Sequence, residues 1–475
     1  MRLSPCLVLA GLSMGVNAFY PFEIKLDSPA SVSTLETLQR RFLPWTLQPD
    51  DSTKDNTDAK PLTLSITKLP VRRDDSYTIV EANTPTLPNS APLDQNGNDY
   101  SYFSMVEVGS QKEQMWLALD TGSPSTWVFG SDCTDSVCTR HNTFDTDNST
   151  SYTSNSSSIT VGYGSGTIKG GLGQDKLSIA DMDVTLTFGQ ATSATSAFAN
   201  YPIDGILGLG RSGTAGWTIP SFMDAVAQAG YLSSNIVGFS LSRAADDART
   251  GEVNFGRLDT TKFNGNISYT ATDSDIWSIP LGDAYVNGKA CGFSGKSATI
   301  DTGTTYILIP PADAATLFAK VPGSVKSGDN YIIPCNSTTS IEFEFSGIKY
   351  SISPEDYIGG SSTDGCASTI VGYQSSGVDH WLVGDVFLKN VYSVFDFDNA
   401  QIGFGTLDNA TATGNGTYKV PSSVTTIAGS AATGKSTATA AAAASTTSMT
   451  SLNSGSHFSV TVVPSLLVII AAIFV

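Results

Sequence analysis

The sequence predicts an all-β protein made of two similar lobes with a few short helices. Three observations predict it: short apolar or alternating runs between residues 100 and 407, small polar residues between those runs, and one motif that occurs twice. Alternation with a period of two is typical of strands packed on one face, and Gly, Asn, Asp and Ser between runs are typical of turns. A duplicated motif indicates duplicated lobes.

The strand and helix signals fall on separate segments. The clearest strand runs cover residues 102–108, 114–119, 341–345 and 391–397. The best helical windows cover residues 220–229 and 311–320. Both windows begin with a proline, which the first turn of a helix tolerates. The helices are therefore expected to be few and short.

Composition and charge exclude several classes of function. The 475 residues include 26 basic and 44 acidic side chains, a net charge of −18, so a nucleic-acid backbone would be repelled. The three histidines form no His-Glu-x-x-His motif, and no Gly-x-Ser-x-Gly motif is present. We therefore expect no metal site, no cofactor and no serine nucleophile.

The N-terminal residues predict secretion and activation by cleavage. Residues 1–18 combine Arg2, an apolar stretch and a terminal Ala18, as in a signal peptide; a buried N-terminal helix is the alternative. Residues 19–73 hold eight basic and seven acidic side chains and end in Arg72-Arg73, whereas the rest of the chain is strongly acidic. This contrast predicts a propeptide over 19–73 and a mature extension over 74–94. The alternative is an ordinary N-terminal subdomain.

The C-terminal residues predict a surface anchor. Residues 409–453 are mostly Ser, Thr, Ala and Gly, a composition that predicts an O-glycosylated stalk. Residues 454–475 are mostly apolar to the last position and follow small residues, which predicts a GPI-attachment signal with Asn453 as the attachment residue. The alternative is a single-pass tail anchor. The expected location is the extracellular face of the cell membrane, with release to the cell wall or the medium.

Asn-x-Ser/Thr triplets also fit an extracellular protein. These N-glycosylation acceptors are Asn148, Asn155, Asn266, Asn336, Asn409 and Asn415.

The duplicated motif carries the chemistry. Asp120-Thr121-Gly122-Ser123 recurs as Asp301-Thr302-Gly303-Thr304, each copy after an apolar run and each followed downstream by two apolar residues and a glycine. One copy fits a structural turn, since Asp before Gly commonly caps turns. Two copies, each with a hydroxyl residue placed to bond its carboxylate, favour a functional pair.

Paired carboxylates suit hydrolysis in acid. If the lobes meet about a pseudo-twofold axis, Asp120 and Asp301 come within hydrogen-bonding distance and share one proton. The ionised group then takes a proton from a water that attacks an amide carbonyl, while the protonated group stabilises the oxyanion. A glycosidase pair is the alternative within enzymes.

Further motifs make residues 95–408 resemble the pepsin family of aspartic endopeptidases. Besides both Asp-Thr-Gly turns, they are Trp127, Tyr163-Gly164-Ser165-Gly166, the segment 204–210 and the segment 381–387. The resemblance implies a bilobal pepsin-like fold with the active cleft between an N-terminal lobe, 95–265, and a C-terminal lobe, 266–408. It also implies polypeptide substrates and a monomer.

The resemblance implies a role for each motif residue. Asp120 and Asp301 would be catalytic, and Tyr163, with Gly164, Ser165 and Gly166, would form a flap that closes over substrate. Tyr163 would bond Trp127, and Thr121 and Thr302, with Ser123, would support the turns. Gly122, Gly303 and Thr304 would contact substrate or the carboxylates. The implied disulfides are Cys133–Cys138 and Cys335–Cys366, with Cys291 as a buried free thiol.

Together with the tail, the body resembles surface-anchored fungal aspartic proteases, including the yapsins, which favour basic residues at the cleavage site. The chain departs from yapsins in the short Cys133–Cys138 spacing, where many yapsins carry a long insertion. Preference for paired basic residues is thus a hypothesis, supported by attraction to the acidic surface. An inactive peptide-binding protein and a wall-structural glycoprotein are the alternatives of other classes.

Overall fold

The computed structural model describes residues 21–27, 77–212, 218–272, 274–407 and 412–414. Several predicted segments lie outside the described residues: the signal peptide, the propeptide apart from residues 21–27, the stalk apart from residues 412–414, and the GPI-attachment signal. Asn409, Asn415 and Asn453 are among these residues. Among the described residues, no helix combines the length and the apolar character that crossing a bilayer requires.

Strands are the main regular elements of the described chain. Those up to residue 255 are β1 (Pro21–Asp27), β2 (Ser90–Pro92), β3 (Asp94–Gln95), β4 (Tyr102–Val108), β5 (Glu113–Asp120), β6 (Trp127–Phe129), β7 (Thr153–Tyr163), β8 (Gly166–Ile179), β9 (Met182–Ala194), β10 (Gly205–Gly208), β11 (Ile236–Ser240) and β12 (Glu252–Phe255). Those that follow are β13 (Asn264–Ala271), β14 (Ser278–Leu281), β15 (Ala284–Val286), β16 (Lys289–Ala290), β17 (Lys296–Ile300), β18 (Ile307–Ile309), β19 (Val325–Ser327), β20 (Asn330–Ile333), β21 (Ile341–Phe345), β22 (Ile348–Ile352), β23 (Ile358–Ser362), β24 (Gly365–Ser368), β25 (Ile370–Gly372), β26 (His380–Val383), β27 (Val391–Asp396), β28 (Gln401–Thr406) and β29 (Ala412–Gly414).

Four short α-helices accompany the strands: α1 (Phe222–Ala229), α2 (Pro311–Phe318), α3 (Pro354–Tyr357) and α4 (Asp385–Leu388). Helix α1 begins at a capping box, in which the Ser221 hydroxyl accepts the Asp224 N–H and the Asp224 carboxylate accepts the Ser221 N–H. Helix α2 begins at Pro311, as the proline rule predicts. The predominance of strands confirms the predicted fold class.

The strands form one large sheet in the N-terminal lobe and three smaller sheets in the C-terminal lobe. The N-terminal sheet has the order β1-β7-β8-β9-β6-β10-β5-β4-β3. The C-terminal sheets have the orders β14-β17-β26-β18-β25, β16-β15-β21-β22-β29 and β19-β20-β24-β23. Strand β29 pairs with β22 beyond residue 408, so the chain continues to pair with the lobe inside the predicted stalk.

A six-stranded sheet joins the two lobes. Its order is β13-β28-β27-β11-β12-β2, which mixes strands from both halves of the chain. The predicted lobe boundary at 265/266 falls inside β13, because the lobes share a sheet instead of meeting at a linker. Strand β2 lies in the predicted mature extension, so that extension contributes to the body.

The duplicated motif corresponds to duplicated strand pairing. Strand β5 runs parallel to β10, which pairs antiparallel with β6, and β17 runs parallel to β26, which pairs antiparallel with β18. A Cβ on Gly208 would overlap the backbone of Pro124, and one on Gly384 would overlap the carbonyl oxygen of Thr304. The glycine that ends each downstream segment therefore allows the chain to pass close behind each Asp-Thr-Gly turn.

Candidate active site

The two aspartates face each other at the junction of the lobes. Asp120 ends β5 and Asp301 follows β17, and neither side chain is exposed. The Gly122 N–H donates to Oδ1 of Asp120 (2.8 Å) and to Oδ1 of Asp301 (3.1 Å). A Cβ on Gly122 would lie 2.5 Å from Cγ of Asp301, and one on Gly303 would lie 2.5 Å from Oδ1 of Asp120. Each turn therefore touches the carboxylate of the opposite lobe.

Reciprocal threonine bonds fix the two turns to each other. The Thr121 N–H donates to Thr302 Oγ1 (3.1 Å), and the Thr302 N–H donates to Thr121 Oγ1 (3.0 Å). The Thr121 hydroxyl donates to the Ile300 carbonyl (3.0 Å), and the Thr302 hydroxyl donates to the Leu119 carbonyl (2.5 Å). These buried bonds cross between the lobes, so they hold the two carboxylates in register.

The hydroxyl residue after each turn behaves differently in the two lobes. Thr304 Oγ1 donates to Oδ2 of Asp301 at 2.6 Å. Ser123 Oγ instead pairs with Ser125 Oγ, also at 2.6 Å, and Oδ2 of Asp120 has no hydrogen-bonding partner among the described residues. The expectation that both hydroxyls hold the carboxylates thus agrees with the structure only at Thr304. The two carboxylates therefore differ in the hydrogen-bond donors that surround them.

This asymmetry separates the two protonation states. Burial raises the pKa of Asp120 well above its ordinary value, and the negative charge of Asp301 raises it further. Burial also raises the pKa of Asp301, but the Thr304 hydroxyl and the Gly303 N–H act in the opposite direction. When the pair holds one proton, Asp120 therefore carries it and Asp301 is ionised.

A hairpin of β7 and β8, called the flap here, lies next to this pair. Tyr163 ends β7 and pairs with Gly166, whose φ of 141° is one that L side chains rarely adopt. Gly164 and Ser165 form the turn between them. The Trp127 Nε1–H donates to the Tyr163 hydroxyl at 3.0 Å, and Ser125 Oγ lies 3.4 Å from the same oxygen. The buried Tyr163 ring thus ties the flap tip to the first turn.

The sequence motifs did not assign a role to one buried acidic residue near the pair. Asp385 follows Gly384 and is buried, and its Oδ1 has no hydrogen-bonding partner among the described residues. Burial raises its pKa well above the ordinary value, Lys389 opposes this shift, and the charge of Asp301 adds to it. The two downstream segments differ at this position, because Asp385 follows Gly384 whereas Leu209 follows the equivalent Gly208. That difference is the feature of the sequence that could have identified Asp385.

The predicted disulfides are present, Cys133–Cys138 and Cys335–Cys366. Cys291 is free and half-buried, and burial raises the pKa of its thiol to about 11. It is therefore a weak nucleophile at neutral or acid pH.

The sequons that the structure describes lie on the surface. The acceptors Asn148, Asn155, Asn266 and Asn336 are exposed. Within the described part of the chain, no group of three or more His, Cys, Asp or Glu side chains is arranged to hold a metal ion.

Known proteins resemble this chain over most of its length. The family model described as "Eukaryotic aspartyl protease" matches residues 101–407. "Aspartic-type endopeptidase ctsD" of Aspergillus fumigatus is 48% identical over 439 residues, covering 91% of each chain. "Probable aspartic-type endopeptidase CTSD" of Trichophyton verrucosum is 38% identical over 415 residues, covering 86% of this chain and 79% of that protein. "Major aspartyl peptidase 1" of Cryptococcus neoformans var. grubii is 32% identical over 354 residues, covering 69% and 72%.

Proposed function

This chain belongs to the eukaryotic aspartyl protease family and is an aspartic-type endopeptidase, and from that premise we propose that Asp120 and Asp301 are its catalytic pair. The observation that carries the proposal is the single Gly122 N–H that bonds both carboxylates. A water within reach of both groups would be the nucleophile, and peptide bonds would be the substrate.

The proposed reaction follows from the asymmetry of the pair. Ionised Asp301 takes a proton from the water while the water oxygen attacks the peptide carbonyl carbon. Protonated Asp120 transfers its proton to the carbonyl oxygen, which gives a neutral tetrahedral diol. As the C–N bond breaks, the proton held by Asp301 moves to the leaving nitrogen, and a diol hydroxyl returns its proton to Asp120. The pair ends with the one proton with which it began.

The flap would exclude water and position substrate. Trp127 and Ser125 hold the Tyr163 hydroxyl beside the first turn without a contact from substrate. Opening and closing of such a hairpin admits an extended peptide and then isolates the reacting bond from solvent. Gly122, Gly303 and Thr304 line the floor beneath it through their bonds to the carboxylates.

The same pair predicts activity in acid. The reactive state has one proton on two buried carboxyls, and burial raises both pKa values. Rising pH removes the Asp120 proton and falling pH protonates Asp301, so the rate should form a bell between the two pKa values of the pair. Because free carboxyls titrate near pH 4, we expect this bell to be shifted upward from that value and to remain below pH 7.

Secretion and anchoring belong to the same proposal. Export would remove residues 1–18, cleavage after Arg73 would remove the leader 19–73, and a GPI anchor at Asn453 would hold the enzyme on the outer cell surface as a yapsin-like protease. The composition of the two ends supports this part. Release of activity from intact cells by a phosphatidylinositol-specific phospholipase would agree with it, whereas activity retained after that treatment would argue for a tail anchor.

The catalytic proposal is tested by cleavage of denatured haemoglobin from pH 3 to 7. We expect acid-optimal cleavage by the wild-type chain and its loss in Asp120→Asn and in Asp301→Asn. Circular dichroism of each variant serves as the control for folding. Wild-type activity that is greatest above pH 7, or that survives in either folded variant, would refute the proposed pair.

A further inference from the structure

We propose that the leader segment Pro21–Asp27 binds the outer edge of the flap as an added strand and restrains its opening until the leader is removed. The inference rests on the proposed function, because it assumes that residues 19–73 are cleaved from an active protease. The leader would bind the outer edge of β7, and the segment that binds there is part of the same chain.

The strand order carries the proposal. Strand β1 lies at the edge of the nine-stranded sheet, and β7 is its one neighbour among the described strands. The pairing is antiparallel and extends from Asp27 opposite Ser158 to Pro21 opposite Tyr163, with a register shift between Pro21 and Glu23. The leader therefore reaches the flap residue whose hydroxyl bonds Trp127.

Without the leader, β7 would be held on one side alone. Strand β8 pairs with β7 along its length and with β9 from Ile168 onward, and Thr167 exchanges hydrogen bonds with Thr195. Among the described residues, the other edge of β7 next to the tip pairs with β1 alone. A two-stranded ribbon is marginally stable and bends readily, whereas a third strand restrains it. Opening the flap would break the β1 pairing, so that pairing opposes opening.

The described pairing with β1 covers the β7 edge from Ser158 to Tyr163, and the other end of β7 has a different character. Residues 153–156 are exposed and polar, and Asn155 among them begins a glycosylation sequon. The register of β7 against β8 also shifts between Asn155 and Ser158, and such a bulge limits unintended strand addition at an edge. The leader thus covers the part of β7 that contains the buried Ile159 and Val161.

Cleavage after Arg73 would end the restraint. The strand would then be a separate peptide, held to β7 by a few backbone bonds, each of which contributes about 1 kcal/mol net. Such a peptide dissociates on dilution, which exposes the edge and frees the flap.

The test uses the alternation of N–H directions in a strand. In the full-length chain, Arg72→Ala with Arg73→Ala keeps the leader attached, and Ile24→Pro or Lys25→Pro is then added singly. Neighbouring N–H groups point to opposite sides of a strand, so only one of these prolines removes a bond to β7, and the other is its matched control. We expect the proline that removes a bond to β7 to raise the initial rate of quenched-peptide cleavage severalfold. The control proline should leave this rate unchanged.

A second readout does not depend on activity. In the same chains carrying Asp120→Asn, amide hydrogen exchange of residues 158–163 should quicken in the proline variant that breaks the pairing and not in its neighbour. The β21–β22 hairpin serves as an internal reference. Equal exchange in both variants would overturn the proposed restraint, even where acid cleavage by the wild type upholds the proposed function. Absence of cleavage in every chain would refute the proposed function, while exchange would still decide the pairing.

Discussion

At the scale of single residues, one hydroxyl distinguishes the two aspartates. Both carboxyls are buried and share the Gly122 N–H, but among the described residues a side-chain hydroxyl, that of Thr304, donates to Asp301 alone. A donor to an ionised carboxylate stabilises the charged form and so lowers the pKa. The division of labour between proton donor and proton acceptor depends on this contact.

Thr304→Val tests that contact with little change in shape. Loss of the hydroxyl raises the pKa of Asp301, so the acid limb of the pH-rate profile should move to higher pH. A hydrogen bond to a charged group contributes about 1.5 to 3 kcal/mol, which predicts a fall in kcat/KM of about 10- to 100-fold. Thr304→Ser should restore both kcat/KM and the position of the acid limb of the pH-rate profile. An acid limb that stays at the wild-type pH in Thr304→Val would contradict the assignment of Asp301 as the ionised group.

Asp94 gives a pH-dependence of stability separate from catalysis. Burial raises its pKa to about 6, the Ala82 N–H opposes this shift, and Glu81 adds to it. A raised folded-state pKa stabilises the fold below the unfolded pKa near 4, and that stability is lost as pH rises through 6.

Asp94→Asn should remove this titration while keeping an acceptor for Ala82. In an Asp120→Asn background, which prevents self-digestion, we expect the variant to gain about 2 kcal/mol relative to Asp94 between pH 4 and pH 7. Denaturant unfolding at both pH values measures the difference. A gain of the same size at each pH would show that Asp94 does not titrate in this range.

At the scale of elements, the flap acts through a bond between two strands. Tyr163 ends β7 and Trp127 begins β6, so their 3.0 Å hydrogen bond joins the hairpin to the strand behind the first turn. This geometry predicts that the two side chains position substrate jointly.

A double-mutant cycle tests this coupling. Trp127→Phe and Tyr163→Phe each remove the bond and should each lower kcat/KM about 2- to 10-fold, in keeping with 0.5 to 1.5 kcal/mol. The double variant should be little worse than Tyr163→Phe, because both changes remove the same Trp127–Tyr163 bond and the hydroxyl's contact with Ser125 is already lost in that single variant. Losses that multiply would show that the two residues act independently.

Local patterns predicted many elements well. The runs at 102–108 and 341–345 coincide with β4 and β21, and the window at 220–229 contains α1, which begins two residues later because Ser221 caps it. Both Asp-Thr-Gly turns were recognisable because they recur. Pairing of β1 with β7 was not, because a strand run does not specify its distant neighbour.

At the scale of the whole molecule, a buried ionic cluster links the lobes. Arg243 binds Asp356 through two nitrogens, at 2.9 and 2.6 Å, and Lys389 lies 3.1 Å from Asp356 and 3.4 Å from Asp99. Asp99 and Arg243 come from the N-terminal half of the body, and the other two come from the C-terminal half. The sequence did not predict this cluster, because its members are far apart in the chain and share no motif.

Arg243→Met tests how much the cluster contributes. The Asp356 side chain is 1% exposed, so removing its bidentate partner leaves a poorly compensated buried charge and should cost about 3 kcal/mol of unfolding free energy. Lys112→Met, which removes the exposed Lys112–Glu107 pair, is the matched control and should cost less than about 1 kcal/mol. Equal losses would show that the cluster is not a special link.

The most direct test of the central claim compares kcat for Asp120→Asn, Asp301→Asn and the double variant at the acid optimum of the wild type. If the two carboxyls share one proton and act as a unit, each single variant should lose about a thousandfold or more, and the double variant should lose no more than either. Losses that multiply in the double variant, or near-wild-type activity in either folded single variant, would contradict the shared pair.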